Sequence, residues 1–168
     1  MLTQILTLDA TLSNYLRIAE QPGLLRRIAA LVAHSGDSWF WLAGLVLVWW
    51  RGSLEWKQKA ISMGIGILIT AALVMALKYT IRRRRPDGKW GEIYRRTDPH
   101  SFPSGHAARA AMLAMLATGL GPTWLAAVIL VWAPLVGLAR VAMGVHYLSD
   151  VIGGMLLGLA TGLLTLYS

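Results

Sequence analysis

The chain has 168 residues, enough for one domain or one compact bundle, and 56% of them are apolar against 14% charged. That balance excludes a disordered chain and argues against an ordinary water-soluble one. There is no cysteine, which excludes disulfides, thiolate catalysis and zinc-thiolate sites, and the net charge is +8, with eight of the 16 Lys and Arg residues between Lys78 and Arg96.

Residues 1 to 20 place Leu2, Ile5, Leu6, Leu8, Leu12 and Leu16 near helical spacing with polar residues between, and Gln21-Pro22-Gly23 breaks the pattern. This predicts an amphipathic helix lying in the membrane interface. Asp9 and Glu20 interrupt the early apolar run and no small-residue cleavage site follows, so a cleaved secretory leader is a poor fit. From Leu24 to Trp50 the chain is apolar apart from Arg26, Arg27, His34 and Asp37. The first span therefore begins near Ile28 with polar groups inside it, or near Ser38 after a turn; His34 and Asp37 are equally a polar pair beside a site or part of that turn. Trp39 and Trp41 at one end, with Trp49, Trp50 and Trp56 at the other, read as interfacial belts.

Three stretches carry no charge at all: 18 residues from Ala60 to Leu77, 30 from Ala110 to Ala139 and 18 from Val151 to Ser168. A bilayer core of about 30 Å needs about 20 helical residues, so the short stretches are single spans and the long one contains more than one. The second span runs from Ala60 to about Leu77, with Gly64 and Gly66 permitting close helix contact. Residues 79 to 103 form a long polar connection punctuated by Pro86, Gly88, Gly91, Pro99 and Pro103, a length that is usually functional. A third helix follows from about Ser104, Gly121-Pro122 turns the chain, a fourth helix runs to about Arg140, and the last occupies Val151 to Tyr167. The reading is an all-α polytopic bundle of about five spans plus the interfacial helix, a single membrane-embedded domain over residues 1–168 with no internal repeat. It places the N-terminus, the 79–103 loop and the 140–150 junction on one face, where three polar clusters converge.

In the first cluster Lys78 and Arg85-Pro86 are separated by six residues, and a lysine with an arginine can surround a phosphate, one as a point charge and one as a rigid fork. A snorkelling helix-end lysine beside a headgroup-binding basic run is the plainer alternative. In the second, Pro103-Ser104-Gly105-His106 precedes an apolar helix, so that Ser104 caps it and backbone N–H groups meet an anion that glycine lets approach. In the third, Arg140, His146 and Asp150 follow at spacings of five and three; on a continuous helix His146 and Asp150 share a face, and the carboxylate orients the imidazole. A buried histidine paired with an acid for packing is the competing reading.

Taken in order, K-x6-RP, PSGH and R-x5-H-x3-D resemble the three-part signature of the type-2 phosphatidic acid phosphatase superfamily, over residues 78 to 150. One position departs: Ala139 stands where the family usually has serine, which removes a phosphate hydrogen bond but no residue of the covalent chemistry. The resemblance implies a metal-independent phosphatase with no cofactor. It implies that His146, oriented by Asp150, is the nucleophile that forms a phosphohistidine, and that His106 is the general acid and base. Lys78, Arg85, Ser104, Gly105 and Arg140 would hold the phosphate. Arg82, Arg83 and Arg84 are expected as a solvated basic run, with Arg84 also a candidate phosphate contact; Arg109, one turn after His106, either lines the pocket or faces interfacial water, and His100 is expected as a loop residue.

The implied substrate is a lipid phosphate monoester or pyrophosphate, such as phosphatidate, phosphatidylglycerol phosphate or a polyprenyl phosphate or diphosphate. The alternative from another class is a noncatalytic bundle that binds or transports anionic lipid; nucleic acid is not an expected partner, and oligomeric state is left open. A multi-pass protein of the cell membrane is expected. Counting bases on the clustered face favours its lying inside, although a phosphate site needs bases on whichever side it faces.

Overall fold

The computed structural model describes residues 2–167; Met1 and Ser168, and the side chains of Leu2, Thr3, Ile5 and Lys89, lie outside the described residues. Among the described residues the fold is all-helical, in eight helices: α1 (Leu2–Tyr15), α2 (Leu24–His34), α3 (Ser38–Arg51), α4 (Leu54–Ile81), α5 (Lys89–Arg95), α6 (Gly105–Leu120), α7 (Thr123–Ala142) and α8 (Leu148–Tyr167). The breaks fall where the local chemistry demands. Pro22-Gly23 separates α1 from α2, Arg82 ends α4 in the left-handed conformation (φ 54°), and Gly121-Pro122 turns α6 into α7.

By length and apolarity α4, α7 and α8 are able to cross a membrane, and α2 with α3 forms a fourth crossing if taken as one span bent by 52°. Both expected starts are helix starts, α2 near Leu24 and α3 at Ser38, with the bend between them at Ser35–Asp37. The expected count of about five includes α6, which has 16 residues and falls short of that crossing length. At 1.5 Å per residue it is roughly 24 Å long, short of the hydrocarbon core. Its surroundings explain why that suffices: every residue from Ala107 to Ala114 is buried. It is the central rod of the bundle, packed on α4, α7 and α8 rather than on lipid.

The closest packing is between α6 and α8. Gly154, Gly158 and Gly162 recur every fourth residue along α8 and face α6: a Cβ on Gly158 would overlap the Ala108 carbonyl oxygen, and one on Gly162 would lie 2.7 Å from the Met115 Cβ. This stripe lets the two backbones touch. On α4, by contrast, only Gly66 is used in this way, against Met112; Gly64 has open space. A buried Thr70–Thr161 hydroxyl pair at 2.8 Å ties α4 to α8. Of the expected belt residues Trp39, Trp49 and Trp50 are exposed, but Trp41 turns inward, its ring 5.1 Å from that of Trp132.

Candidate active site

The α4 helix delivers Lys78 in its last turn, buried, where its ammonium pairs with the Asp98 carboxylate and donates to the His100 carbonyl at 3.0 Å. The reversal at Arg82 then brings Arg85 inward to 1% exposure. Its guanidinium donates to the Asp98 backbone oxygen (2.7 Å), Asp98 Oδ2 (2.7 Å) and the Val145 carbonyl (2.9 Å), and its Nη1 lies 3.1 Å from His146 Nε2. A guanidinium only donates, so His146 accepts through Nε2 and keeps its proton on Nδ1. Burial, and then the charges of Arg85, Arg140 and Lys78, hold His146 well below the ordinary histidine range. A neutral imidazole results, its lone pair on Nε2 and turned toward Arg85.

His146 does not lie on a helix shared with Asp150, as its spacing suggests; it sits in the turn before α8, which begins at Leu148. The turn nevertheless brings Nδ1 to 3.5 Å from Asp150 Oδ2. That carboxylate is itself fixed by the Tyr147 N–H (2.8 Å) and by Arg83 (2.7 Å). Arg83 is therefore not part of a solvated run. It bridges Asp150, Ser149 Oγ (2.6 Å) and Asp9 Oδ2 (2.6 Å), with its guanidinium 4.1 Å from the Tyr147 ring centre. Arg84 points the other way, 75% exposed and paired with Asp87 at 3.1 Å, and touches none of the other motif residues; Arg82 is exposed and folds back on the Tyr79 carbonyl.

The amphipathic α1 packs across this junction. Asp9 accepts the Ser149 N–H at 3.0 Å and Ser13 accepts the Leu148 N–H at 2.8 Å, so the unpaired N–H groups that open α8 are capped from another helix. Burial pushes the Asp9 carboxyl up, but hydrogen bonds from Ser149 and Arg83 outweigh it and hold it below its ordinary value. The folded chain thus binds this proton less readily than the unfolded one, and the stabilisation is present above the ordinary carboxyl value and lost as pH falls below it. Wild type is expected to lose thermal stability below about pH 4 more steeply than Asp9→Asn, measured by melting in detergent across pH 3 to 7.

The second motif opens α6. Ser104 occupies the position before the helix, yet its hydroxyl makes no capping bond and is buried without a partner. Gly105 and His106 line the cavity. Arg109 is buried and lines it too, held by the Gly36 carbonyl at 3.1 Å and by Ser38 Oγ. Arg140, 1% exposed near the end of α7, donates to the Tyr94 hydroxyl at 3.1 Å and stacks on that ring, while its Nε has no partner. His100 is a loop residue whose carbonyl serves Lys78 and whose ring meets Tyr79 edge-on. The spacing argument did not find Asp98 or Tyr94. Asp98 carried a signal in being an acid within a basic loop, whereas nothing in the sequence marked Tyr94.

These groups surround a cavity of about 280 Å³ with two unlike walls. One wall is Lys78, His106, Arg109, Arg140 and His146; the other is Ile67, Ala71, Val74 and Met75 of α4, of which Ala71 and Met75 are exposed on the outer face of the bundle. A cavity of about 400 Å³ between α3, α4 and α7 is almost entirely apolar. An anion with an apolar appendage fits the first cavity, the anion among the cations and the appendage along α4.

Residues 59–168 match the family described as the PAP2 superfamily. The chain is 34% identical to decaprenylphosphoryl-5-phosphoribose phosphatase of Mycobacterium tuberculosis over 86% of its own length and 80% of that protein's. It is 31% identical to an undecaprenyl-diphosphatase of Sulfolobus acidocaldarius, covering 88% of this chain and 70% of the relative. Its fold is similar to the crystal structure of a PAP2-type phosphatidylglycerolphosphate phosphatase from Bacillus subtilis, with a TM-score of 0.74 and 27% identity over 96% of this chain and 84% of that one. Aquifex aeolicus LpxE has the same fold, with a TM-score of 0.75 and 24% identity over 92% of this chain and 94% of that one.

Proposed function

The chain belongs to the PAP2 superfamily, a membrane phosphatase family, and from that premise we propose that it hydrolyses the phosphate ester or anhydride of a long-chain lipid through a phosphohistidine. The observation that carries the reading is the neutral, buried His146, whose Nε2 lone pair is held among Lys78, Arg85 and Arg140 and opposite His106. In the first step Nε2 bonds to phosphorus, the bond from phosphorus to the lipid oxygen breaks, and His106 gives its proton to that oxygen. In the second, water attacks phosphorus, its proton passes to His106, the N–P bond breaks and phosphate leaves. The three cations take the nonbridging oxygens, Ser104 Oγ and the N–H groups at the start of α6 add donors, and Asp150 orients His146. No step requires a metal.

The apolar wall and the relatives together support the substrate class. The relatives are named for a decaprenyl-linked phosphoribose and an undecaprenyl diphosphate, and P. gingivalis lipid A 1-phosphatase is 32% identical over 66% of this chain and 24% of its own length. Their common element is phosphate on a large lipid, and the candidates for this chain are polyprenyl mono- and diphosphates, phosphatidate and phosphatidylglycerol phosphate. The test is phosphate release from that panel by purified protein in detergent with a chelator present. Chelator-resistant turnover supports the reading; its absence from folded protein on every substrate points to the noncatalytic lipid-binding bundle.

We further place the protein in the cell membrane with the site on the inner side. Of the bases on the site's face, Lys78, Arg83, Arg85, Arg109 and Arg140 are committed to the site itself; Arg17, Arg26, Arg27, Arg82, Arg84, Lys89, Arg95 and Arg96 still outnumber Arg51, Lys57 and Lys59 opposite. In a chain without native cysteine, Arg84→Cys and Thr123→Cys report the two faces, both residues being exposed. Gly88 is unsuitable for a probe, since its φ is 150° and a Cβ there would meet Glu20 and Arg17. The expected result is labelling of Thr123→Cys alone by an impermeant thiol reagent on intact cells; labelling of Arg84→Cys alone reverses the assignment.

A further inference from the structure

His106 is not free in its cavity: its Nε2 lies 2.6 Å from Asp37 Oδ1. Asp37 comes from the bend between α2 and α3, outside the residues 59–168 that match the family. We propose that Asp37 is a positioning residue for His106, so that the proton-transferring group of the reaction is completed by a carboxylate from the N-terminal helices. The inference rests on the phosphatase reading above and deepens it.

Three observations support the assignment. First, Asp37 occupies the position that starts α3 but makes no capping hydrogen bond. Its two oxygens instead go to histidines, Oδ1 to His106 and Oδ2 to His34 Nδ1 at 3.2 Å. An aspartate kept only to begin a helix would be turned toward the helix N–H groups. Second, the bend is clamped from the rest of the site. Arg109 of α6 holds the Gly36 carbonyl and the Ser38 hydroxyl, and Trp132 of α7 donates to Ser35 Oγ at 2.8 Å. Third, the bend presses on the histidine: a Cβ on Gly36 would sit 3.4 Å from His106 Cδ2 and 2.9 Å from Val136 Cγ1. The carboxylate is therefore placed by contacts on several elements.

The chemistry follows from the contact. With Nε2 engaged by Asp37, Nδ1 is the ring nitrogen left for proton transfer. In the neutral ring the carboxylate keeps the hydrogen on Nε2 and leaves the Nδ1 lone pair to take a proton from water. In the charged ring it is the counter-ion for an imidazolium in a cavity that already holds Lys78, Arg109 and Arg140, while Nδ1–H faces the departing oxygen. Asp37 exchanges no proton with substrate in either step.

The test uses leaving-group dependence. Turnover is measured on dodecyl phosphate, whose alkoxide needs a proton to leave, and on a nitro-substituted aryl phosphate carrying the same dodecyl chain, whose phenolate does not. Asp37→Asn is expected to lower kcat/KM on the alkyl substrate, which reports cleavage of the bond to the leaving oxygen and not the later attack of water, about 100-fold, at the lower end of what general acid catalysis contributes, with kcat/KM on the aryl substrate within about five-fold. His106→Ala is expected to show the same selectivity, and the double variant to be no worse than His106→Ala alone. The ratio of the two kcat/KM values on one preparation is independent of the folded fraction, so a poorly folding variant still gives an answer. Equal losses on both substrates, or additive losses in the double variant, overturn the proposal. Wild-type inactivity on both substrates, or retained activity in His146→Ala, instead overturns the phosphatase reading on which it stands.

Discussion

His146→Ala is expected to abolish phosphate release from every substrate the wild type accepts, by at least about 10⁴-fold, since removing a covalent nucleophile removes the route and not merely a contact. The substitution should leave a folded protein, because Arg85 keeps its bonds to Asp98 and to the Val145 carbonyl when the ring is gone. Phosphate release and a detergent melting curve on the same sample check both statements. A variant that still turns over assigns the nucleophile elsewhere. A buried neutral histidine also has a signature in pH. Because burial and the neighbouring cations hold His146 well below its ordinary range, the unfolded chain takes up a proton near pH 6.5 that the folded chain refuses. Its contribution to stability therefore declines as pH falls through that value, and His146→Ala should melt with a shallower dependence between pH 7 and 5. The acid limb of kcat/KM set by His146 is expected below the ordinary histidine range for the same reason.

The second large effect is on folding. Gly158→Val should prevent accumulation of folded protein, or lower its stability by roughly 3 kcal/mol or more, because the added atoms meet the Ala108 backbone and not a side chain able to move aside. Gly64→Ala is the matched control. It too replaces a glycine within a membrane helix, but nothing lies within 4 Å of the new methyl group. A small gain of up to about 1 kcal/mol from helix propensity is expected there. Thermal midpoints in detergent, with the amount recovered as a monodisperse peak, measure both. Equal behaviour of the two variants would show that α6 and α8 do not touch through the glycine stripe.

What the sequence made legible was what depends on composition and fixed spacing. Uncharged stretches located α4, α7 and α8, and the three motifs named Lys78, Gly105, His106, Arg140 and His146, which line one cavity. What it left out depends on a turn or on a distant partner. His146 and Asp150 were expected to meet on a helix and meet through a turn instead. Ser104 has the form of a capping residue, yet its hydroxyl is unpaired. Three adjacent arginines look alike in sequence, but Arg82 lies at the left-handed end of α4, and the chain beyond it buries Arg83 against Asp9 and Asp150 while leaving Arg84 in solvent. No local pattern reports that. Nor does apolarity distinguish α6, enclosed by its neighbours, from helices that face lipid. Asp37 was noticed but read equally well as a turn residue, because its partner is 69 positions away.

The unlike walls of the cavity bear on how the two products part. With hydrolysis as proposed, the freed lipid alcohol would rest against Ala71 and Met75 on the outer face of α4 and slide sideways into the bilayer, while inorganic phosphate would remain among Lys78, Arg140 and His146 until it exits to water. On the proposed reaction, accumulated phosphate would compete with substrate, whereas the alcohol, diluted into the surrounding lipid, would scarcely slow the next turnover.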